Sequence, residues 1–293
     1  MRAAAIALTS LLLQNPHILN GRLDTQAAGS NLASTFQRLV SAQTEPAWIG
    51  YSVPTMPDGE RRLCCGGDTW ISDGVVISNG RLATCGLEAG DRSVRTSQGQ
   101  PAANQGPIRL EGPETMVVLY RVEDKAVQKV RIFSPDCELD AGGRAIHWLD
   151  GVSAADSIAL LSSLISGSDK VRSGAIAALA MHKDDLAVPA LLKLARQDAS
   201  GKVRGDALFW LAQTAGRKIA GDITAAIDND PDTEVKKRAV FALGQLPKDE
   251  GIPLLINVAK TNQNPAVRKQ AMFWLGQSKD PRALEFFTQV LSK

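Results

Sequence analysis

The sequence predicts an α+β N-terminal domain with a mainly antiparallel sheet, followed by an all-α solenoid of about four and a half two-helix repeats. Three observations carry that reading. From Val171 onward, residues of matching type recur every 32 positions. Before Ala154 the chain consists of β-branched and aromatic runs broken by turn residues, the pattern of strands. Finally, 293 residues with 44% hydrophobic and 22% charged side chains can build two cores of ordinary soluble composition.

Residues 1–16, MRAAAIALTSLLLQNP, stand apart from both. Arg2 precedes an apolar run from Ala3 to Leu13. The run is too short to span a bilayer, which takes roughly 20 residues. It has the length of the apolar core of a signal peptide, so export to the periplasm or the cell exterior is expected. A buried first helix is the alternative. No cysteine lies near the segment, which argues against a lipid anchor.

Residues 17–151 form the expected sheet domain. Leu19, Gly21, Leu23 and Thr25 alternate with polar residues and suggest one strand. In SNLASTFQRLVSAQ, Leu32, Phe36, Leu39 and Val40 share one helical face, with Ser30 or Asn31 as N-cap. AWIGYSV reads as a strand. Asn79-Gly80, between VVIS and RLAT, is a two-residue hairpin signal, because both turn positions need positive φ. Residues 87–107 are rich in Gly, Ser, Gln and Asn and read as a mobile surface loop. MVVLYRV and VQKVRIF form a second hairpin around Glu123–Lys125, and GRAIHWL adds a last strand.

Residues 154–293 are periodic. Val171, Val203, Val235 and Val267 are followed by Arg172, Arg204, Lys236 and Arg268. Ala175, Ala207, Ala239 and Ala271 come four places after each Val, and Leu179, Leu211, Leu243 and Leu275 come eight after. Three places before each Val stand Ser168, Ser200, Asp232 and Asn264, all N-cap types. Each unit therefore opens with a capped helix, turns, and closes with a second helix such as VPALLKLA or IPLLINVA. ADSIALLSSLI is the second helix of an incomplete first unit. A shared period of this length means stacked helix pairs.

The pattern V-R-x-x-A-φ-φ-φ-L-G/A after a capping residue resembles HEAT repeats, and ALGQLPKDEGIPLL is close to the bacterial subtype found in phycobilisome bilin lyases. The resemblance covers 154–293. It implies a solenoid fold and is nearly silent on function, since such repeats occur in lyases, DNA-binding glycosylases and scaffolds.

Candidate sites are few. Cys64, Cys65, Cys85 and Cys137 all precede the solenoid. In an exported chain they should be oxidised. A bond between neighbouring cysteines is strained, so one of Cys64 and Cys65 is expected to join Cys85 and the other Cys137. A four-cysteine zinc site is the alternative, although the C-x₂-C spacing is missing. Asp136, Glu138 and Asp140 alternate as in a calcium loop, but Gly142 falls one place late, and a strand edge running into a turn is the better reading. No metal and no cofactor are expected. His147 and His182 read as structural, because no nucleophile motif accompanies them.

The basic ladder Arg172, Arg204, Lys236 and Arg268 reads as a set of bonds between units. The polar residues of the second helices, Lys193, Arg196, Asn257, Lys260 and Gln289, are the candidate binding surface. Phe-Trp-Leu occurs twice, at Phe209 and Phe273, and its recurrence at the repeat period reads as packing. A formal net charge of +2 argues against nucleic acid as a partner. The expected function is an exported, non-catalytic protein-binding scaffold without a membrane segment after processing. The apolar last helix is its candidate site of homo-oligomerisation. An enzyme of bilin-lyase type or another kind, using the solenoid to hold substrate, is the alternative.

Overall fold

Strand pairing in the first half of the chain joins its beginning to its end. This computed structural model describes residues 16–55, 84–88, 94–95, 115–182, 185 and 187–292. The chain divides into two compact units, 1–127 with 131–152, and 128–130 with 153–293. The signal-like run, Cys64, Cys65 and the Asn79-Gly80 hairpin lie outside the described residues.

In the first unit the strands are β1 (His17–Leu19), β2 (Arg22–Ala27), β3 (Ala47–Pro54), β4 (Thr84–Gly86), β5 (Val94–Arg95), β6 (Thr115–Glu123), β7 (Ala126–Phe133), β8 (Glu138–Asp140) and β9 (Ala145–Asp150), with α1 (Leu32–Ala42) between β2 and β3. They form a four-stranded sheet, β1-β8-β4-β5, and a five-stranded sheet, β2-β9-β3-β6-β7. Both sheets are mixed: β1 and β4 run parallel to β8, and β2 and β3 run parallel to β9, while β3–β6 and β4–β5 are antiparallel. The expected antiparallel hairpins see only local pairing. Two of the parallel pairs, β1 with β8 and β2 with β9, join residues more than a hundred positions apart, and nothing local in the sequence encodes them.

Asn20 has φ 47° and turns the chain between β1 and β2, so the single strand expected over Leu19–Thr25 is two strands in different sheets. At Gly21 a side chain would run into Ala141. The segment 87–107 is not loop throughout. Leu87 is buried, and Val94–Arg95 pairs with β4. Glu88 accepts bonds from Trp48 Nε1 at 2.8 Å and Arg121 at 2.8 Å.

β3 and β6 are buried along nearly their whole length because the five-stranded sheet is covered on both faces. Trp48, Val117, Leu119, Ile146 and Trp148 meet Cys85, Phe133, Cys137 and Leu139 in one core. On the other face Phe36 of α1 packs edge-on against Tyr120 at 4.8 Å. Asn31 caps α1 by accepting from Ser34 N–H. Neither Cys85 nor Cys137 is a free thiol.

The acidic run ends in a turn as expected, but its strand is internal. β8 lies between β1 and β4, Leu139 is buried, and Asp140 accepts from Gly142 N–H at 2.8 Å where Gly142 takes φ 60°.

The second unit contains α2 (Ala154–Ser163), α3 (Asp169–Ala180), α4 (Ala187–Gln197), α5 (Gly201–Ala215), α6 (Ala220–Asn229), α7 (Thr233–Gln245), α8 (Lys248–Thr261), α9 (Pro265–Gln277) and α10 (Pro281–Leu291). The first helices of the units are α3, α5, α7 and α9, and the recurring Val, Ala and Leu on them are all buried. Ser168, Asp232 and Asn264 accept N-cap bonds, whereas Ser200 makes no side-chain cap bond.

The Phe-Trp-Leu reading needs correction. Trp210 is buried and Leu211 and Leu275 are core, but Phe209, Phe241 and Trp274 are half-buried and Phe273 is 52% exposed. At about 100° per residue, the position six after the core Val lies about 150° from the middle of the buried face. Recurrence at the repeat period proves only that successive units share an environment.

Asp124 and Lys125 close the β6–β7 hairpin with φ 53° and 56°. This is the two-residue turn that favours Gly at its second position. Lys125→Gly is expected to raise stability by about 1 kcal/mol, because a left-handed non-glycine residue costs about that much. The midpoint of urea unfolding measures it.

Candidate binding surfaces of the solenoid

The basic column begins where helices end. An α-helix leaves its last carbonyls without partners and its C-terminus negative. Arg172 donates from Nε to Ile165 O and from Nη2 to Gly167 O, both at 2.9 Å, just past α2. Arg204 Nη1 donates to Asp198 O at 2.8 Å, past α4. Lys236 Nζ donates to Asp228 O at 2.6 Å, in the last turn of α6. Arg268 Nη1 donates to Asn262 O at 2.8 Å and Gln263 O at 3.0 Å, past α8. The same side chain thus ties each first helix to the end of the second helix before it.

Arg204 does one thing more. It grips Asp230 with both arms of its guanidinium, Nε to Oδ2 at 2.7 Å and Nη2 to Oδ1 at 2.9 Å. Burial pushes the Asp230 carboxyl up. The bonds from Arg204 and from Asp232 N–H, with the charges of Arg204 and Lys236, outweigh this and hold it below the ordinary carboxylate value.

The second-helix candidates do not converge. Lys193 and Asn257 are exposed on α4 and α8. Arg196 on α4 bonds Asp222 of α6, with Nε 3.0 Å from Oδ1. Lys260 Nζ lies 5.6 Å above the Phe286 ring of α10, and Gln289 donates to Glu285 at 3.3 Å. On α6, between α4 and α8, the exposed positions include Ala225 and Asp228. The face is therefore a sequence of separate polar patches. α10 carries Leu284 at 69% exposure and Leu291 at 84%, while Phe286 is buried.

Both candidate histidines are hydrogen-bonded. His182 is buried, with Nδ1 2.8 Å from Ala178 O and Nε2 2.8 Å from Ser157 Oγ. A carbonyl only accepts, so Nδ1 carries the proton and Nε2 accepts from the Ser157 hydroxyl. The pair has the form of a nucleophile and its base, but Ser157 is 0% and His182 1% exposed, and no substrate reaches them. Sequence reasoning passed over Ser157, which is fully buried on α2. His147 lies 3.3 Å from Gln43 Oε1 and 4.0 Å from Asp24. Burial lowers its pKa, Asp24 opposes that, and Arg22 adds to it. Among the described residues, no three His, Cys, Asp or Glu side chains form a group able to hold a metal ion. No described helix is long and apolar enough to cross a membrane.

Sequence reasoning also missed a surface on the first helices. Phe209, Phe241 and Phe273 are each followed one turn later by Gln213, Gln245 and Gln277. The signal was the aromatic-x-x-x-Gln spacing, readable once the helix angle is applied to it.

Residues 222–293 match the family model of HEAT repeats, so the C-terminal region is a HEAT-like solenoid. Deoxyhypusine hydroxylase of Danio rerio is 35% identical over 108 residues, which covers 36% of this chain and 34% of that protein. The chain spans about a third of the length of the curated relatives it matches. Among solved structures, the complex of CpcE and CpcF of phycocyanin lyase from Nostoc is similar, with a TM-score of 0.38 at 17% identity over 47% of this chain and 91% of that one. Human deoxyhypusine hydroxylase in complex with glycerol has a TM-score of 0.34 at 18% identity over 42% of this chain and 43% of that one.

Asp230→Asn is expected to cost about 2 kcal/mol at pH 7, the usual worth of a hydrogen bond to a charged group. Because the Asp230 pKa is lowered in the folded state, its contribution is complete above the unfolded carboxylate range and lost as pH falls through the folded value. Urea unfolding at pH 7 and pH 3 should show the difference between variant and parent shrinking at the lower pH.

Proposed function

We propose that this chain is an exported, non-catalytic interaction protein that binds a protein partner through its HEAT-like solenoid. The observation that carries this reading is the separation of roles along the repeat. The basic ladder is engaged inside the stack, while Lys193 and Asn257 on the second helices stay exposed. Stacked repeats offer extended surfaces of this kind. In the same reading, Cys85 and Cys137 are bonded one to each of Cys64 and Cys65, which export permits, and α10 is the site at which two copies meet through Leu284 and Leu291.

Deleting 154–293 from the exported protein is expected to abolish cross-linked capture of its partner, and retained capture contradicts the reading. Thiol titration of the unfolded protein is expected to find no free thiol before reduction and all 4 after it. Free thiols before reduction would contradict the bridges. Sedimentation of Leu284→Glu with Leu291→Glu reports on self-association: the parent should be heavier than the variant.

A second reading rests on the 35% identity with deoxyhypusine hydroxylase over 108 residues. In it the solenoid holds a substrate for an enzyme, of bilin-lyase type or another kind. Titration with a bilin separates one branch of it. A shifted absorbance band supports the lyase form, and an unchanged spectrum at saturating protein excludes it.

A further inference from the structure

We propose that α10 receives one more helix of the first-helix type, brought by a protein partner, with an apolar face of valine, alanine and leucine and a cation near its start. This rests on the reading of the chain as an interaction protein and names the element that its partner brings.

The stack itself shows what such a face meets. Each second helix packs against the first helix that follows it, α4 on α5, α6 on α7 and α8 on α9. Residues 32 positions apart hold the same place on successive second helices. In one such column Ala195, Ile227 and Ala259 are buried, and the next member, Leu291, is 84% exposed. From α8 to α10, buried Ile252 and Val258 give way to exposed Leu284 and Val290. The first helices show the same break. Phe241 is half-buried and meets Trp274 of the next unit at 4.7 Å, while Phe273, one repeat later in its column, is exposed. α10 is therefore apolar at the places where the second helices before it are covered.

Three features select the occupant. The first is the covering element. The helices that follow α4, α6 and α8 bury Val203, Val235 and Val267, each with an alanine four places on. A helix that seats on α10 in the same way carries the same residues at the same spacing. The second is charge. Arg204, Lys236 and Arg268 each bond the carbonyl end of the second helix before them. The last turn of α10 has no basic residue of its own, and among the described residues no cation bonds its last carbonyls. That end is negative, and the incoming helix brings to it both a cation and a positive N-terminus. The third is the exposed ring. Phe273 offers a partner's tryptophan the contact that Phe241 gives Trp274, seven places after the core valine. A second copy has no first helix to spare, because α3, α5, α7 and α9 are each packed on the second helix before them. It meets α10 only with its own end face and the same leucines, so a second copy and a partner helix exclude each other.

The test uses the full chain and a fluorescein-labelled peptide that copies residues 262–278, α9 with its cap, read by anisotropy. Saturable binding is expected, with at least tenfold weaker binding for a scrambled peptide of the same composition. Leu284→Glu with Leu291→Glu in the chain, both at exposed positions, should weaken binding as much while leaving the unfolding midpoint within a few degrees. Arg268→Glu in the peptide should weaken binding at least fivefold, and Arg268→Lys should not. Absence of saturation, equal binding of the scrambled peptide, or parent-like binding by the double variant overturns the proposal. A chain that sediments as a single protomer yet binds the peptide through the two leucines supports the proposal and removes only the self-association at α10. If the peptide fails while partner capture still depends on 154–293, the helix proposal falls and the interaction reading stands.

Discussion

The solenoid depends on one repeated interaction: a cation at the start of each first helix that satisfies the carbonyl end of the helix before it. Arg172, Arg204, Lys236 and Arg268 all do this, with Arg or Lys and with slightly different carbonyls. The interaction works because the end of one helix and the beginning of the next lie together wherever second helix meets first helix. The carbonyls there have no helical partners, and the helix dipole makes the site negative. Hydrophobic contact between units gives the stack its stability, yet it is not directional. The cation adds a directional bond between each first helix and the end of the helix before it.

Spacing alone made the solenoid legible. Each unit contacts its neighbours, so the residues that define it, such as Val235, Ala239 and Leu243, lie within one turn or two of each other and repeat. The sheet unit has no such economy of range. β2 pairs with β9 and β1 with β8, and the local alternation that identifies a strand says nothing of which distant strand it meets. Antiparallel hairpins are what local reasoning sees, so a mixed sheet was read as an antiparallel one. The Asn20 turn shows the same limit at short range. Alternation ran straight through it, although Asn-Gly is itself a turn signal.

The candidate surfaces were legible in part. The basic column was identifiable because polarity at a fixed repeat position has few explanations, whereas the polar second-helix residues fall on separate patches. The aromatic column was identifiable as a column but assigned to the wrong face. Periodicity reports that Phe209, Phe241 and Phe273 share an environment; the helix angle reports which one. The buried Ser157–His182 pair was hidden for another reason. Its two members are on different helices, and only packing brings them to 2.8 Å. Both are sealed in the core, where the pair replaces two unsatisfied polar groups with a bonded one.

The ladder is engaged inside the stack, where it ties each first helix to the turn before it. Native-state hydrogen exchange on Arg204→Met tests this role most directly. The account predicts faster amide exchange at the junction of α4 and α5 (residues 194–206), with protection in α8 and α9 unchanged. Uniform loss of protection from α2 through α10, or no change at the junction, would contradict it.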